Sequence, residues 1–87
     1  MILIMKCFKD LKIGDKLYEI VNDDMYIDTI TCITNNCFSL YIQCVDQNGT
    51  ELSVYIPNIY IKGTTYSIQI SYSDRFFTTD INTFLNQ

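Results

Sequence analysis

The 87-residue sequence has no histidine and no tryptophan, and it contains one proline and three isolated glycines. Without histidine, the protein lacks the side chain most often used as a general base near neutral pH and as a member of a Ser-His-Asp triad. The isolated glycines form no phosphate-binding loop. The four cysteines form no C-x-x-C pair, which argues against a four-ligand zinc site. These absences predict a protein that is not an enzyme and that binds no metal and no cofactor.

Basic residues are scarce and unevenly placed. No Lys or Arg occurs between Leu17 and Ile61, whereas six acidic residues lie in that segment. The four lysines within the first sixteen residues do not form the concentrated basic surface that nucleic-acid binding needs. Asp23, Asp24 and Asp28 lack the spacing of a calcium loop and are interpreted as solvated turn residues. Nothing in the spacing of the acidic residues brings two of them together. The excess of acidic residues between Leu17 and Ile61 favours a protein partner with a basic surface.

Long hydrophobic runs are also missing. Residues 1–5 are too short to cross a membrane, and no small-residue cleavage site of a signal peptide follows them. We therefore expect a cytoplasmic protein with free thiols and no membrane contact. With 87 residues, of which 48% are hydrophobic, the chain is long enough and apolar enough to form a hydrophobic core. We therefore expect a single small domain over residues 1–87.

Residues 38–56 carry the clearest pattern, because apolar and polar side chains alternate on both sides of a turn signal. Asn48-Gly49 is compatible with a two-residue turn, which would mix the two faces, or with a three-residue loop over residues 47–49. We prefer the three-residue loop with Gly49 in the left-handed conformation, since it keeps the apolar side chains together. The resulting apolar face begins at Phe38 and pairs Cys44 with Leu52, Ile42 with Val54 and Leu40 with Ile56.

The opposite face of this hairpin is the candidate partner-binding site. The same register places Tyr41 opposite Tyr55, Gln43 opposite Ser53 and Val45 opposite Glu51. An exposed tyrosine pair offers a large contact area at a small entropic cost. Two alternatives stay open: a cross-strand pair that only stabilises the hairpin, and a homodimer interface. The remaining tyrosines with an assigned face, Tyr18, Tyr66 and Tyr72, are expected to point into the core.

Alternation and turn residues predict further strands at residues 1–8, Lys16–Val21, 25–34, 66–72 and Arg75–Thr78. Residues 58–62 are either a short strand or a connector. A short helix follows over residues 80–86, with Thr79 as the N-cap and with Ile81, Phe84 and Leu85 facing the sheet. The fold class is therefore mainly β, an SH3-like barrel of five to seven antiparallel strands with a C-terminal helix. A small open sheet with a helix is the alternative.

Two segments resemble a known group of proteins. Residues 11–18, Leu-Lys-Ile-Gly-Asp-Lys-Leu-Tyr, look like the opening of small SH3-like barrel proteins found in phages and mobile elements of gut-type bacteria. Residues 77–85 are similar to their ending, which is an aromatic residue, Thr and a short acidic helix closing on Leu. Asn82 and Thr83 stand where that ending has a Glu-Ala pair. The resemblance implies a phage-type barrel with an accessory role and supplies no catalytic residues.

The residues and the resemblance together predict a non-enzymatic phage-type accessory protein that binds and blocks a host protein. Its concrete form is an inhibitor of a host defence complex, acting by occlusion in the cytoplasm of the infected cell. Two alternatives remain open. One is a structural component of a virion, and the other is a barrel that sequesters a small nucleotide-like ligand.

Overall fold

In the computed structural model, which describes residues 6–61, 66–70 and 74–86, the chain forms a six-stranded antiparallel sheet. The strands are β1 (Lys16–Val21), β2 (Asp24–Asn35), β3 (Ser39–Val45), β4 (Glu51–Pro57), β5 (Ser67–Ile70) and β6 (Arg75–Thr78). Their spatial order is β4-β3-β2-β1-β6-β5. The sheet curls into a half-barrel, so the mainly β prediction is confirmed and the architecture is compatible with a small SH3-like barrel.

One helix and two 3-10 turns accompany the sheet. The helix α1 spans Ile81–Leu85, and the 3-10 turns span Phe8–Asp10 and Asn58–Tyr60. The second turn shows that the segment after Pro57 is a connector, which was one of the two expectations for it. None of the helices in the described ranges has the length and apolar character needed to cross a bilayer.

The β3–β4 hairpin adopts the predicted register. Cys44 pairs with Leu52, Ile42 with Val54 and Leu40 with Ile56. Gly49 has a φ of 83°, and its N–H donates to the carbonyl of Asp46 over 3.0 Å. The Asp46 side chain closes the loop, since its Oδ1 accepts hydrogen bonds of 2.9 Å from the backbone N–H groups of Asn48 and Thr50. The bulged three-residue loop is thus confirmed, together with the apolar face that it was expected to preserve.

The hydrophobic core lies on the concave side of the curled sheet. It is built from alternate residues of the strands and from the first 3-10 turn, as period-two burial requires. Its buried members are Phe8, Leu11, Leu17, Ile30, Leu40, Ile42, Cys44, Val54, Ile56, Ile68 and Phe77. The predicted burial of Cys44 is therefore confirmed.

Strand β2 is longer than predicted and changes face along its length. Ile30 pairs with Cys44 and Cys32 pairs with Gln43, so Thr31 is an extra residue in a β-bulge. Because a bulge shifts the alternation by one position, the pattern across this strand has no single polarity. The β1–β2 turn is also tight, with positive φ angles at Asn22 and Asp23, two residue types that tolerate the left-handed region.

Two predictions near the chain ends are wrong. Phe8 belongs to a 3-10 turn instead of a strand that starts at residue 1, and residues 1–5 lie outside the described part of the chain. Asp80, not Thr79, is the N-cap of α1, and it accepts hydrogen bonds from the Asn82 N–H and the Thr83 hydroxyl. Thr79 instead donates its hydroxyl hydrogen to the Lys6 carbonyl, which ties the N-terminal segment to β6.

The side chains around α1 also differ from the expectation. Phe84 is buried, but Ile81 and Leu85 are exposed, so of the three apolar residues expected to face the sheet only Phe84 is buried. Its ring lies 5.2 Å from that of Tyr18, on the convex side. Tyr18 is therefore half-buried beneath the helix and does not belong to the concave core. Tyr66 is half-buried as well, and Tyr72 falls outside the described residues.

Candidate functional site

The six side chains predicted to bind a partner lie together on the outer face of the β3–β4 hairpin. The ladder pairs Tyr41 with Tyr55, Gln43 with Ser53 and Val45 with Glu51. The two tyrosine rings have centroids 4.6 Å apart and are tilted by 34°. The Tyr41 hydroxyl and the Ser53 hydroxyl share a hydrogen bond of 3.0 Å. Partner binding by this face stays a prediction, but the arrangement on which it depends is present.

The two tyrosines differ in exposure. Tyr41 is half-buried, whereas Tyr55 is 61% exposed. Because Tyr41 is held by the neighbouring ring and by Ser53, it supports Tyr55 from one side and keeps the pair ordered. The exposed side chains of Gln43, Ser53 and Glu51 follow the pair on its loop side and add polar groups to the face. This is the composition of an aromatic anchor with a polar rim.

The open end of the hairpin displays two apolar side chains that sequence reasoning did not assign to the site. Phe38 is 85% exposed and Ile59 is 73% exposed. Phe38 was expected to begin the buried face of β3, and that prediction is wrong because the chain enters β3 through a turn at Asn36. The Asn36 Oδ1 accepts hydrogen bonds of 2.9 Å from Phe38 N–H and 2.8 Å from Ser39 N–H. The segment before β3 and the segment after β4 are joined by a hydrogen bond of 2.9 Å, which the Asn58 N–H donates to the Phe38 carbonyl.

A second cluster lies on the concave side, near the opening of the half-barrel. Glu19 on β1 and Asp28 on β2 are 2% and 0% exposed, and Arg75, on the neighbouring strand β6, reaches Glu19. The Arg75 Nε and Nη2 atoms donate to one oxygen of Glu19, Oε2, over 2.8 and 2.6 Å. The guanidinium also lies 4.9 Å from the centroid of the Phe77 ring.

Sequence reasoning missed this cluster. Asp28 was interpreted as a solvated turn residue, and this is wrong, because its side chain points inward from β2 and is fully buried. No spacing in the sequence indicated that it would lie near Glu19. One signal was present in the sequence. Glu19 lies on the same face of β1 as Leu17 and Val21, so an acid stands among the apolar side chains of that face. Its counter-charge comes from a residue 56 positions away, which local periodicity does not reveal.

The environment of Asp28 favours its neutral form. No donor among the described residues reaches either of its carboxyl oxygens. Burial, a side-chain hydrogen bond with Glu19 and the charges of Glu19 and Asp46 together raise the pKa of Asp28 to about 8, and Arg75 opposes them. A protonated Asp28 carries a hydrogen that it can donate to the Glu19 carboxylate. Burial, with the nearby acids, likewise raises the pKa of the Cys44 thiol to about 12, so this thiol stays neutral.

A cavity of about 380 Å³ opens beside this cluster. Glu19 and Arg75 line it together with Val21, Tyr26 and Leu52. Asp24 pairs with Val21 and therefore lies on the same face of the sheet, where it is exposed. The lining thus combines two aliphatic side chains, one aromatic side chain and the Glu19–Arg75 pair.

The two buried acids of the concave cluster are enclosed by their neighbours. A general acid must come within hydrogen-bond reach of a substrate, whereas Asp28 is fully buried and Glu19 is held by Arg75. The acids at the β1–β2 turn do not join the cluster, since Asp23 and Asp24 are exposed. Within the described ranges, no three side chains of His, Cys, Asp or Glu are grouped so that they could hold a metal ion.

Comparisons of the chain with family models, curated proteins and solved structures find no match, so the resemblance to phage barrel proteins stays an expectation and the site is interpreted from its own side chains.

Proposed function

We propose that the protein is a non-enzymatic binding module that docks a partner protein on the outer face of the β3–β4 hairpin. The observation that carries this proposal is the outward-facing Tyr41–Tyr55 pair, whose ring centroids lie 4.6 Å apart on two paired strands. Both side chains stand on regular β-structure, so little conformational entropy is lost when a partner covers them. Tyr55 is the central anchor because it is the more exposed of the two.

The charges of the hairpin face narrow the chemistry of the partner. Three of the six acids between Leu17 and Ile61, namely Glu19, Asp28 and Asp46, are buried on the concave side. The outer surface of this segment is therefore less acidic than the sequence suggests. Glu51 is the charged residue of the six-residue face, and no Lys or Arg of residues 17–61 opposes it. The complementary partner has an apolar or aromatic patch with a Lys or Arg placed to meet Glu51.

The resemblance in the terminal segments gives the proposal a concrete form. In that form the protein is a phage-type inhibitor that covers a functional surface of a host protein, such as a defence complex, in the infected cell. Inhibition by occlusion needs a stable exposed surface and no catalytic group. The hairpin face meets that requirement, since its register is held by the Gly49 loop and by the buried apolar face beneath it.

The test is affinity capture with the full-length chain and matched variants. The informative variant is Tyr41→Ala, Tyr55→Ala, and the control is Ile13→Ala, which removes an exposed apolar side chain from a separate loop. We expect the wild type and the control to retain one partner in stoichiometric amount, and the folded double variant to lose it. Retention by the folded double variant would reject this face.

A second measurement separates partner binding from self-association. Light scattering coupled to size exclusion gives the mass of the wild type and of the double variant. A dimeric wild type that becomes monomeric when both tyrosines are removed would contradict docking of a different protein on this face. A monomeric wild type agrees with the proposal, because the face is then free for another chain.

A further inference from the structure

We propose that the partner protein adds an extended segment to the open edge of β4, as an antiparallel strand with a basic side chain opposite Glu51. This inference rests on the docking function proposed above, because it names the part of the partner that lies against the hairpin. Strand β4 stands at one end of the sheet order, so within the described part of the chain only β3 pairs with it. Such an edge presents backbone N–H and C=O groups with which another chain can pair.

The hydrogen bonds at the two ends of the hairpin show which backbone groups of β4 face this edge. In an antiparallel pair of strands, hydrogen-bonded and non-hydrogen-bonded residue pairs alternate. At the loop, the Asp46 N–H donates to the Thr50 carbonyl over 2.9 Å. At the other end, the Asn58 N–H donates to the Phe38 carbonyl over 2.9 Å, and the register between the two ends has no shift. The even-numbered residues therefore form the hydrogen-bonded pairs.

The odd-numbered residues of β4 direct their N–H and C=O groups away from β3. The position opposite Ser53 agrees with this assignment, since the Gln43 carbonyl accepts a hydrogen bond of 3.1 Å from the Thr31 hydroxyl on β2 and so points away from β4. Each outward-facing residue offers one donor and one acceptor to an added strand. The residues of this open edge are Glu51, Ser53 and Tyr55.

The sequence of β4 gives this edge little protection against pairing. Natural sheet edges are commonly blocked by lysine, by proline, by a bulge or by the shortness of the strand. Strand β4 spans seven residues, contains no Lys, has its proline at the last position and keeps a continuous register with β3. The strand at the other end of the sheet, β5, spans only four residues. Of the two, β4 is therefore the edge suited to strand addition.

The charge at this edge favours a strand of another protein over a second copy of the chain. Strand β4 contains Glu51 and no Lys or Arg, so a β4–β4 pairing of two copies places no cation opposite Glu51. Each copy also has a formal net charge of −4, which opposes self-association. An opposite charge directly across a strand pair is stabilising, and a like charge is destabilising. The occupant that fits these charges is a basic extended segment of the partner.

The register also gives the order of side chains in that segment. Because the segment runs antiparallel to β4, the residue opposite Tyr55 comes first, the residue opposite Ser53 follows two positions later, and the Lys or Arg opposite Glu51 follows two positions after that. An aromatic or β-branched side chain in the first position packs beside the exposed Tyr55 ring. The residues between these positions face the concave side, where the half-buried Leu52 offers an apolar contact.

Amide hydrogen exchange of the free full-length protein is the first test. The outward-facing amides of Glu51, Ser53 and Tyr55 should exchange at least about tenfold faster than those of their even-numbered neighbours, which are bonded to β3. Equally slow exchange of both sets would show that the edge is already paired within the molecule, and it would overturn the proposal.

A peptide of defined sequence then tests strand addition. The probe is acetyl-Thr-Tyr-Val-Thr-Val-Lys-Thr-amide, in which the tyrosine, the central threonine and the lysine match the positions opposite Tyr55, Ser53 and Glu51. At millimolar concentration it should shift the amide NMR signals of these three residues and slow their exchange. Absence of both effects would overturn the proposal.

Two N-methylated forms of this peptide are the matched controls. Methylation of the central threonine nitrogen removes an N–H that faces β4, and it should weaken binding by at least about tenfold. Methylation of the next valine nitrogen removes an N–H that faces solvent, and it should leave binding unchanged. Replacement of the lysine by glutamate should also weaken binding, because it opposes Glu51. Equal binding of the two N-methylated forms would rule out the proposed strand pairing.

The variants Ser53→Pro and Ser53→Ala extend the test to the captured partner. Both remove the hydroxyl that contacts Tyr41, but only proline removes the outward-facing N–H, and it leaves the hydrogen bonds to β3 in place. We expect the alanine variant to retain the partner and the folded proline variant to lose it. Retention by both would reject the edge and leave docking on the outer face intact. If Ser53→Pro does not fold, the N-methylated peptides decide, because they leave the protein unchanged.

Two further outcomes separate this inference from the docking function. If the wild type retains no partner, the docking function fails, and the peptide titration alone decides whether the edge accepts a strand. A dimeric wild type that becomes monomeric in Ser53→Pro would assign the edge to a second copy and overturn the basic partner segment.

Discussion

Asp28 and Glu19 lie on neighbouring strands with their carboxyl groups directed to the same buried side of the sheet, and Arg75 forms its hydrogen bonds with Glu19 alone. One acid is thus ionised and paired, and the other is held neutral by burial and by the charge of its neighbour. This difference governs how the protein should respond to pH and to removal of charge.

Asp28 should make the protein less stable as the pH rises. Its pKa is raised in the folded state from 3.8 to about 8, so between these values the folded protein holds a proton that the unfolded chain has lost. The contribution of this group to the free energy of unfolding should therefore be largest below about pH 4 and fall up to about pH 8, by about 1 kcal/mol per pH unit. Denaturation by urea at several pH values measures the slope.

The matched control for this slope is Asp28→Asn, which keeps the shape of the side chain without an ionisable group. We expect the variant to lose most of the slope and to exceed the wild type in stability at pH 9. Measurements below pH 5 are excluded from the comparison, because other carboxylates titrate there. A wild type whose stability is constant from pH 5 to 9 would contradict a buried neutral Asp28.

Removal of the Arg75 guanidinium should destabilise the fold. Arg75→Met leaves the buried Glu19 carboxylate without its partner. Breaking a fully buried pair costs about 3–5 kcal/mol, and we expect about 2 kcal/mol here, since solvent reaches part of the Arg75 side chain. The double variant Glu19→Leu, Arg75→Met removes both charges and should recover most of the loss. Equal stability of Arg75→Met and the wild type in urea denaturation would show that the pair contributes little.

The loop of the β3–β4 hairpin should be sensitive to the residue at position 49. Gly49 has a φ of 83°, a conformation that is unfavourable for side chains with a Cβ atom. Gly49→Ala should cost about 1–2 kcal/mol of unfolding free energy, whereas Gly49→Asn should cost less because Asn tolerates this region. The thermal midpoints of the two variants give the comparison, and an alanine variant as stable as the wild type would reject the bulged loop.

The cysteines should differ in reactivity. Cys44 is buried and its pKa is raised to about 12, so almost no thiolate is available to react. Cys32 and Cys37 are exposed. Iodoacetamide at pH 8 should therefore modify Cys32 and Cys37 in the native protein and Cys44 after denaturation, as read by peptide mass spectrometry. Modification of native Cys44 at the rate of Cys32 would contradict the packing of β3.

Sequence reasoning predicts well those parts of the fold that are determined by residues close together in the sequence. The register of the hairpin follows from apolar alternation and from one glycine, both contained within residues 38–56. Strand Arg75–Thr78 was also predicted with the bounds that it has, because Asp74 and Thr79 flank a short aromatic run.

The parts that were missed depend on contacts between distant segments. The bulge at Thr31 changes which side of β2 is buried, and no residue there has a special turn preference. The Glu19–Arg75 pair forms because β6 returns beside β1, a strand pairing that the sequence pattern does not specify. Phe38 was assigned to the buried face by alternation alone, although Asn36 ends that alternation by forming hydrogen bonds to the following backbone.

The most direct test of the docking hypothesis is to titrate the captured partner against single tyrosine variants and to measure the binding affinity of each. If Tyr55 is the anchor, Tyr55→Ala should weaken binding by about 2 kcal/mol or more, near thirtyfold, while its unfolding free energy falls by less than about 1 kcal/mol. Ile13→Ala should leave both unchanged. A Tyr55→Ala variant that binds the partner as tightly as the wild type, with only its stability reduced, would show that the tyrosine pair serves the hairpin and not a partner.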